Sequence, residues 1–389
     1  MNYVAVAGVG LTPFCKPGLH KPYRLMAANA ISQALVNANI EPHLIQQAFC
    51  SYIYGDSTCG QHALYEVMQT GIPIINVNNN CASGSTALYL ARQAVMSGEV
   101  DCALAFGFEE MQPGALTEQW SNRESPLTRI EQVLAEFAAP QGPVALKAFG
   151  QAGRYYMDTY NVSAKLFAQV AEKSRRHAMN NPHALFRMPL CADQVLAEKI
   201  IYDNYLTRLM ACPPTCGAAA VIVCNEQFAK QHGVNSPIKI LAQAMTTDTK
   251  DSWKNPINAV GQSMTQQAAN KVYDSSGVSP EDIDVIELHD CFTPNEVITY
   301  EALQLCPEGE AIKFITEGSN TYGGKCVIGP SGGLMSKGHP IGATGLAQCA
   351  ELVLQLRGNA GNRQVPKAKL ALQHNIGLGG AAVVTLYGQ

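Results

Sequence analysis

The chain has 389 residues, 47% of them hydrophobic and 15% charged, with a net charge of −4. This length and apolar fraction suit two sizeable cores and argue against disorder, and the net negative charge excludes nucleic-acid binding by bulk electrostatics. No apolar run approaches the ~18 residues of a membrane-spanning helix, and thirteen cysteines without disulfide-framework spacing point to reduced thiols in the cytoplasm.

The start, Met1-Asn2-Tyr3-Val4-Ala5-Val6-Ala7-Gly8, reads as a strand rather than a basic leader. A helical pattern follows over residues 26–38, then a strand over 48–54. The run Ile75-Asn76-Val77-Asn78-Asn79-Asn80 stops at Cys81, and the small residues Ala82-Ser83-Gly84-Ser85 open a helix over 82–96. A thiol at that junction faces the unpaired N–H groups and positive end of the helix, a setting expected to lower its pKa. Cys81 is therefore a candidate sulfur nucleophile. A strand over 101–107 follows.

Residues 118–210 lack the strand–helix alternation of their flanks. They carry helical patterns over 144–160 and 164–179, broken by Asn181-Pro182. An insertion of this length reads as a lid or binding subdomain. Between 145 and 210 nine Lys/Arg stand against five acids. That surplus, with Lys173, Arg175 and Arg176 at its centre, suits a phosphate-bearing small molecule; the plainer alternative is a solvated helix face. Cys212-Pro213-Pro214-Thr215-Cys216 fits no zinc spacing by itself and reads as structural. A strand over 217–224 and a helix over 226–232 restore the alternation.

After Pro237 come a helix over 264–275 and a strand over 285–288, ending in His289-Asp290-Cys291-Phe292. Strand C-terminal ends are where α/β sheets place ligands. Neighbouring side chains on a strand point to opposite faces, so one ion is not easily held by His289, Asp290 and Cys291 together, and no metal is expected. An acid/base thiol or a hydrogen-bond donor to a carbonyl fits better. Next, Gly338-His339-Pro340-Ile341-Gly342 offers an imidazole able to take a thiol proton. A helix over 344–356 and a strand over 369–375 lead into His374-Asn375-Ile376-Gly377-Leu378-Gly379-Gly380. Here the glycines allow close backbone approach and Asn375 can donate to an oxyanion.

The chain repeats itself. Gly84, Thr86 and Leu88 match Gly342, Thr344 and Leu346 at a constant offset of 258, each set opening a helix that is followed by a strand. Earlier, Pro42-His43-Leu44-Ile45 and Pro280-Glu281-Asp282-Ile283 precede a strand in each half, at an offset of 238. This reads as a duplicated strand–helix unit with mixed sheets covered by helices. A pseudo-twofold pair of such units would bring Cys81 and His339 together, as a nucleophile and its base require.

Four ordered motifs resemble the thiolase superfamily, and within it the sterol carrier protein type. They are Asn78-Asn79-Asn80-Cys81-Ala82-Ser83-Gly84-Ser85, His289-Asp290-Cys291-Phe292, Ser331-Gly332-Gly333-Leu334-Met335-Ser336-Lys337-Gly338-His339-Pro340, and the run from His374 to Gly380. The resemblance implies a duplicated five-layered αβαβα architecture. Its N-terminal half would be residues 1–117 plus 211–234, its inserted loop domain 118–210 and its C-terminal half 235–389. It implies Cys81 as acyl-accepting nucleophile, activated by His339. His289 would hold a water in the oxyanion hole where most thiolases use asparagine, and Cys291 would be the acid/base thiol in place of the usual Cys-x-Gly cysteine, which here reads Asn375-Ile376-Gly377. The N–H groups of Cys81 and Gly377 would form a second oxyanion hole. The implied reaction is thiolysis of 3-oxoacyl-CoA, as in fatty acid β-oxidation, or the reverse condensation, by ping-pong transfer through acyl-Cys81. Coenzyme A is then a substrate, no cofactor is tightly bound, and a homodimer or homotetramer is expected. The family's usual Ser-Asp-Gly-Ala reads Thr215-Cys216-Gly217-Ala218, which puts local support of the active-site loop in question. The chain stops at Gln389, so a following lipid-binding domain is not expected. The alternative from a different class is a thiolase-like aldolase that works with a partner chain; such proteins typically lose the nucleophile that this chain keeps.

Overall fold

The structure is a computed structural model that describes residues 3–112 and 122–389. Twelve strands run in chain order: β1 (Val4–Leu11), β2 (Gln47–Ser51), β3 (Ile74–Val77), β4 (Cys102–Glu109), β5 (Ile200–Tyr202), β6 (Leu206–Thr207), β7 (Gly217–Asn225), β8 (Ile238–Thr246), β9 (Val285–Glu287), β10 (Val327–Ile328), β11 (Leu370–Gly377) and β12 (Ala381–Gly388). Ten of them form one sheet system in the order β10-β9-β11-β12-β8-β1-β7-β4-β2-β3. The order is palindromic about the β8–β1 contact, which pairs only Ala5 with Lys239 and Val6 with Ile238. Each half is therefore a five-stranded mixed sheet of the same topology, as the internal repeat predicts.

Strands β1, β4, β7 and β12 are buried on both faces, which is why they read as near-continuous apolar runs rather than alternating ones, whereas β3 and β8 keep exposed positions. Helices Ser83–Met96 and Thr344–Leu356 lie between the sheets and touch each other. Helix Tyr23–Ala38 covers the outer face of one sheet and helix Gln262–Ser276 that of the other. The result is the five-layered αβαβα stack. The repeat's matched glycine explains how the central helices meet. A Cβ on Gly84 would sit 2.9 Å from the Gly342 carbonyl oxygen, so only a bare backbone allows these two starts to touch.

In the C-terminal half β11 and β12 are joined by the three residues Leu378-Gly379-Gly380. In the N-terminal half the equivalent pair, β4 and β7, is joined by the whole insertion. The boundary expected at 117/118 lies outside the described residues. The inserted helices Val144–Tyr160 and Lys165–Ala178 match the helical patterns of the sequence, and they share one apolar core with the C-terminal half. The short hairpin β5–β6 was not anticipated there.

Candidate active site

Cys81 sits between β3 and the central helix Ser83–Met96, immediately before the N-cap residue Ala82. Its loop is built by three asparagines. The Asn78 side chain accepts the Asn80 N–H at 3.1 Å, Asn79 Nδ2 donates to Thr86 Oγ1 at 3.1 Å, and Asn80 takes the left-handed backbone (φ 51°) that asparagine tolerates. Asn80 Nδ2 also donates to the Leu378 carbonyl at 3.1 Å, tying this loop to the glycine turn of the other half. A Cβ on Gly377 would collide with the Asn79 carbonyl oxygen, so the end of β11 must be glycine to lie against the Cys81 loop.

His339 occupies the equivalent position before the second central helix. Its backbone N–H donates to Thr215 Oγ1 at 3.1 Å, and Pro214 pairs with it in a parallel bridge. Its Nδ1 lies 2.7 Å from Thr344 Oγ1, which gives its own proton to the Pro340 carbonyl at 2.9 Å. Thr344 can therefore only accept, so Nδ1 carries the proton and the lone pair is on Nε2. That Nε2 is buried and has no hydrogen-bond partner. His289, 1% exposed, follows β9; its Nδ1 accepts from Asn375 Nδ2 at 2.9 Å, which leaves the proton on Nε2. The rings of His289 and His339 meet edge to face, 5.2 Å between centroids. Donor atoms of Cys81, His289 and His339 all lie within 4.8 Å of one another. The duplication thus brings a sulfur from one half and an imidazole from the other together, with a second imidazole alongside.

The electrostatics depart from the sequence expectation. Burial, with a smaller push from the Glu109 carboxylate, raises the Cys81 thiol to about 12, and burial lowers His339 to about 3. Both shifts favour a neutral thiol beside a neutral imidazole over a preformed thiolate. The helix dipole is a partial charge, and where the surroundings exclude most water the desolvation of a full charge outweighs it.

Two further residues were not legible in sequence. Ala211 pairs with Phe292 in an antiparallel bridge, and Cys212 N–H donates to the Cys291 carbonyl at 2.8 Å. Cys212 and Cys291 are therefore cross-strand neighbours, whose side chains share one face. Burial, then the Cys212 and Cys81 sulfurs, pushes the Cys291 thiol well up. The cluster at 212–216, read from sequence as structural, supports the site. Thr215 holds the His339 backbone, and Cys216 is buried with Sγ 3.4 Å from the Met111 carbonyl. Glu109 is the other: its carboxylate accepts N–H groups from Tyr54 and Gly342, both at 2.9 Å, and so clasps the His339 turn to the first half. Nothing in sequence separates it from any acid at a strand end. Asp290 accepts the N–H of Leu334 at 2.8 Å and of Met335, a structural task.

A cleft of about 1420 Å³ opens beside the site, lined by Tyr54, Asn78, Asn79, Asn80, Gly377 and Leu378 among others. The basic residues expected to meet phosphates lie elsewhere. Lys173 is buried in an ion pair with Glu296 that also takes in Tyr300. Arg175 is buried over the Phe186 ring at 4.2 Å, and Arg176 Nη2 lies 3.4 Å from Thr321 Oγ1. None of the three lines the cleft. A local charge count cannot tell an ammonium turned inward from one facing solvent.

Residues 4–203 match the thiolase N-terminal domain and residues 246–388 the thiolase C-terminal domain-like family. The chain belongs to the thiolase family. Among curated relatives of this thiolase, human sterol carrier protein 2 is 51% identical over 394 residues, covering 100% of this chain and 72% of the relative. Non-specific lipid-transfer protein-like 2 of Caenorhabditis elegans is 42% identical, covering 99% and 95%. Benzoylsuccinyl-CoA thiolase subunit BbsB of Thauera aromatica is 33% identical, covering 97% and 95%. The fold matches the Ltp2-ChsH2(DUF35) aldolase (TM-score 0.83, 22% identity, 99% and 97% covered) and human mitochondrial 3-ketoacyl-CoA thiolase in complex with CoA (TM-score 0.75, 17% identity, 100% and 98% covered). Family membership supports acyltransferase chemistry. Among the described residues no helix is long and apolar enough to cross a membrane.

Proposed function

We propose that this thiolase transfers acyl groups between CoA thioesters through Cys81, cleaving 3-oxoacyl-CoA with CoA or running the reverse condensation. The observation that carries this reading is the grouping of the Cys81 sulfur with the His289 and His339 nitrogens, with an unpartnered lone pair on His339 Nε2. His339 Nε2 takes the Cys81 proton as the sulfur attacks the 3-keto carbon, so the costly thiolate forms only as it is consumed. The resulting oxyanion meets the Cys81 and Gly377 N–H groups. The Cα–Cβ bond then breaks. The enolate oxygen of the departing acyl-CoA accepts from the His289 Nε2–H, directly or through a water, and its carbon takes the Cys291 proton. In the second half the Cys291 thiolate takes the proton of an incoming CoA thiol, whose sulfur displaces the acyl group from Cys81, and His339 Nε2–H returns its proton to the departing Cys81 sulfur. CoA enters through the cleft beside Asn78–Asn80. A homodimer or homotetramer, and the division into two halves and an inserted loop domain, belong to the same proposal.

Mass spectrometry after mixing with acetyl-CoA tests it: one acetyl group is expected, on Cys81, discharged by added CoA. Cys291→Ala should still acetylate but lose C–C cleavage. Active enzyme with an unmodified Cys81 would favour the aldolase alternative instead.

A further inference from the structure

We infer that Cys81, His289 and His339 form a binding site for a thiophilic divalent cation of the zinc type, which would occupy the pocket as a dead-end inhibitor. The inference stands on the donor set and its geometry, and only its inhibitory consequence rests on the acyltransferase reading.

The three donors come from three separate segments and lie within 4.8 Å of one another. Zinc bonds of about 2.3 Å to sulfur and 2.0–2.1 Å to nitrogen place tetrahedral donors roughly 3.4–3.6 Å apart. The donors need close by only about 1 Å, within reach of a rotation of the half-buried Cys81 side chain. This is not the His289-Asp290-Cys291 triplet weighed from sequence: Asp290 is engaged by backbone N–H groups, and Cys291 is outside the trio.

The surroundings independently suit a ligand. His339 is 6% exposed, its Nδ1–H is held by Thr344, and its Nε2 lone pair has no partner. An imidazole oriented through its far nitrogen is the usual arrangement around bound metal. His289 is oriented by Asn375, whose Oδ1 is buried without a partner. Turning that amide over lets the oxygen accept an Nδ1–H, which moves the His289 lone pair to Nε2, facing the pocket. One rotation thus completes the ligand set, leaving the amide nitrogen rather than its oxygen without a partner. Three protein donors leave a fourth position for water, the pattern of an open zinc site.

Binding is a proton-balanced exchange without redox change. A zinc–sulfur bond replaces the Cys81 S–H bond, one proton leaves to solvent, and two nitrogen lone pairs replace waters of the ion. The metal then holds both the attacking sulfur and the base. A chain with asparagine at the position of His289 would lack the third donor, so the second imidazole is what makes the pocket a metal site.

The test titrates the reduced full-length chain with cobalt(II), then zinc(II), without any acyl-CoA. One equivalent of cobalt should give a thiolate-to-cobalt charge-transfer band and tetrahedral visible bands, displaced by zinc. Zinc should slow iodoacetamide alkylation of Cys81, read by peptide mapping, at least tenfold. Cys81→Ser should abolish the charge-transfer band, and His289→Asn, with its circular dichroism unchanged, should weaken zinc binding at least tenfold. A band that survives Cys81→Ser, unchanged affinity in His289→Asn, or full alkylation of Cys81 under zinc would each overturn the inference. Failure to form acetyl-Cys81 would count against the proposed function alone.

Discussion

Thr344→Val probes the tautomer on which the proposed chemistry depends. Thr344 Oγ1 donates to the Pro340 carbonyl and accepts from His339 Nδ1 at 2.7 Å, which keeps the lone pair of Nε2 turned to the site. Valine preserves the shape and removes the acceptor. The Nδ1–H would then lie buried and unpaired, at a cost of about 1–3 kcal/mol. The ring relieves that cost only by leaving this orientation or by moving its proton to Nε2, which has no partner here either, and in neither form does it serve as the base. With each 1.36 kcal/mol worth a factor of ten, the competent fraction, and with it kcat, should fall about 10- to 100-fold. KM for 3-oxoacyl-CoA should stay within about twofold, because the hydroxyl reaches no substrate. The assay is steady-state thiolysis of a short 3-oxoacyl-CoA beside the rate of acetyl transfer to Cys81, with thermal unfolding as a control for folding. Thr344→Ser should recover most of the rate. A valine variant that folds and turns over like the parent would refute the reasoning, as would a loss that follows unfolding alone.

Other outcomes follow from the same structure. Gly377→Ala drives a methyl group into the Asn79 carbonyl and within 3.2 Å of Ala82 N, so acetyl-Cys81 should form at least tenfold more slowly by mass spectrometry. With the Cys81 thiol raised to about 12, its alkylation should accelerate about tenfold per pH unit from pH 7 to 10; a plateau near neutrality would reveal a resting thiolate–imidazolium pair instead. Lys173→Met strands the Glu296 carboxylate in the core and should lower unfolding free energy in urea by about 3–5 kcal/mol. If Lys173 instead served CoA, the loss would show chiefly in the KM for CoA.

Much of the architecture could be read along the chain because repeated segments meet the same local physics twice. The helix over 344–356 and the strands over 101–107 and 369–375 fall within a residue or two of where the repeat places them. A charge count over residues 145–210 could not show that Lys173 turns inward to Glu296. Nothing local says that residues 211 and 292 will pair, so the nearness of Cys212 to Cys291 is a property of the fold alone.

Residue types and their order along the chain determined the duplicated alternation, the thiol before a helix, and the imidazole at the matching place. Folding alone decided the protonation states and the neighbours. Whether a thiol rests neutral depends on how much water its surroundings exclude, and whether Glu109 or Cys212 reaches the site depends on contacts between segments far apart along the chain, such as Glu109 with Gly342 and Ala211 with Phe292. Periodicity is a property of neighbours in sequence; desolvation and cross-strand pairing are properties of neighbours in space.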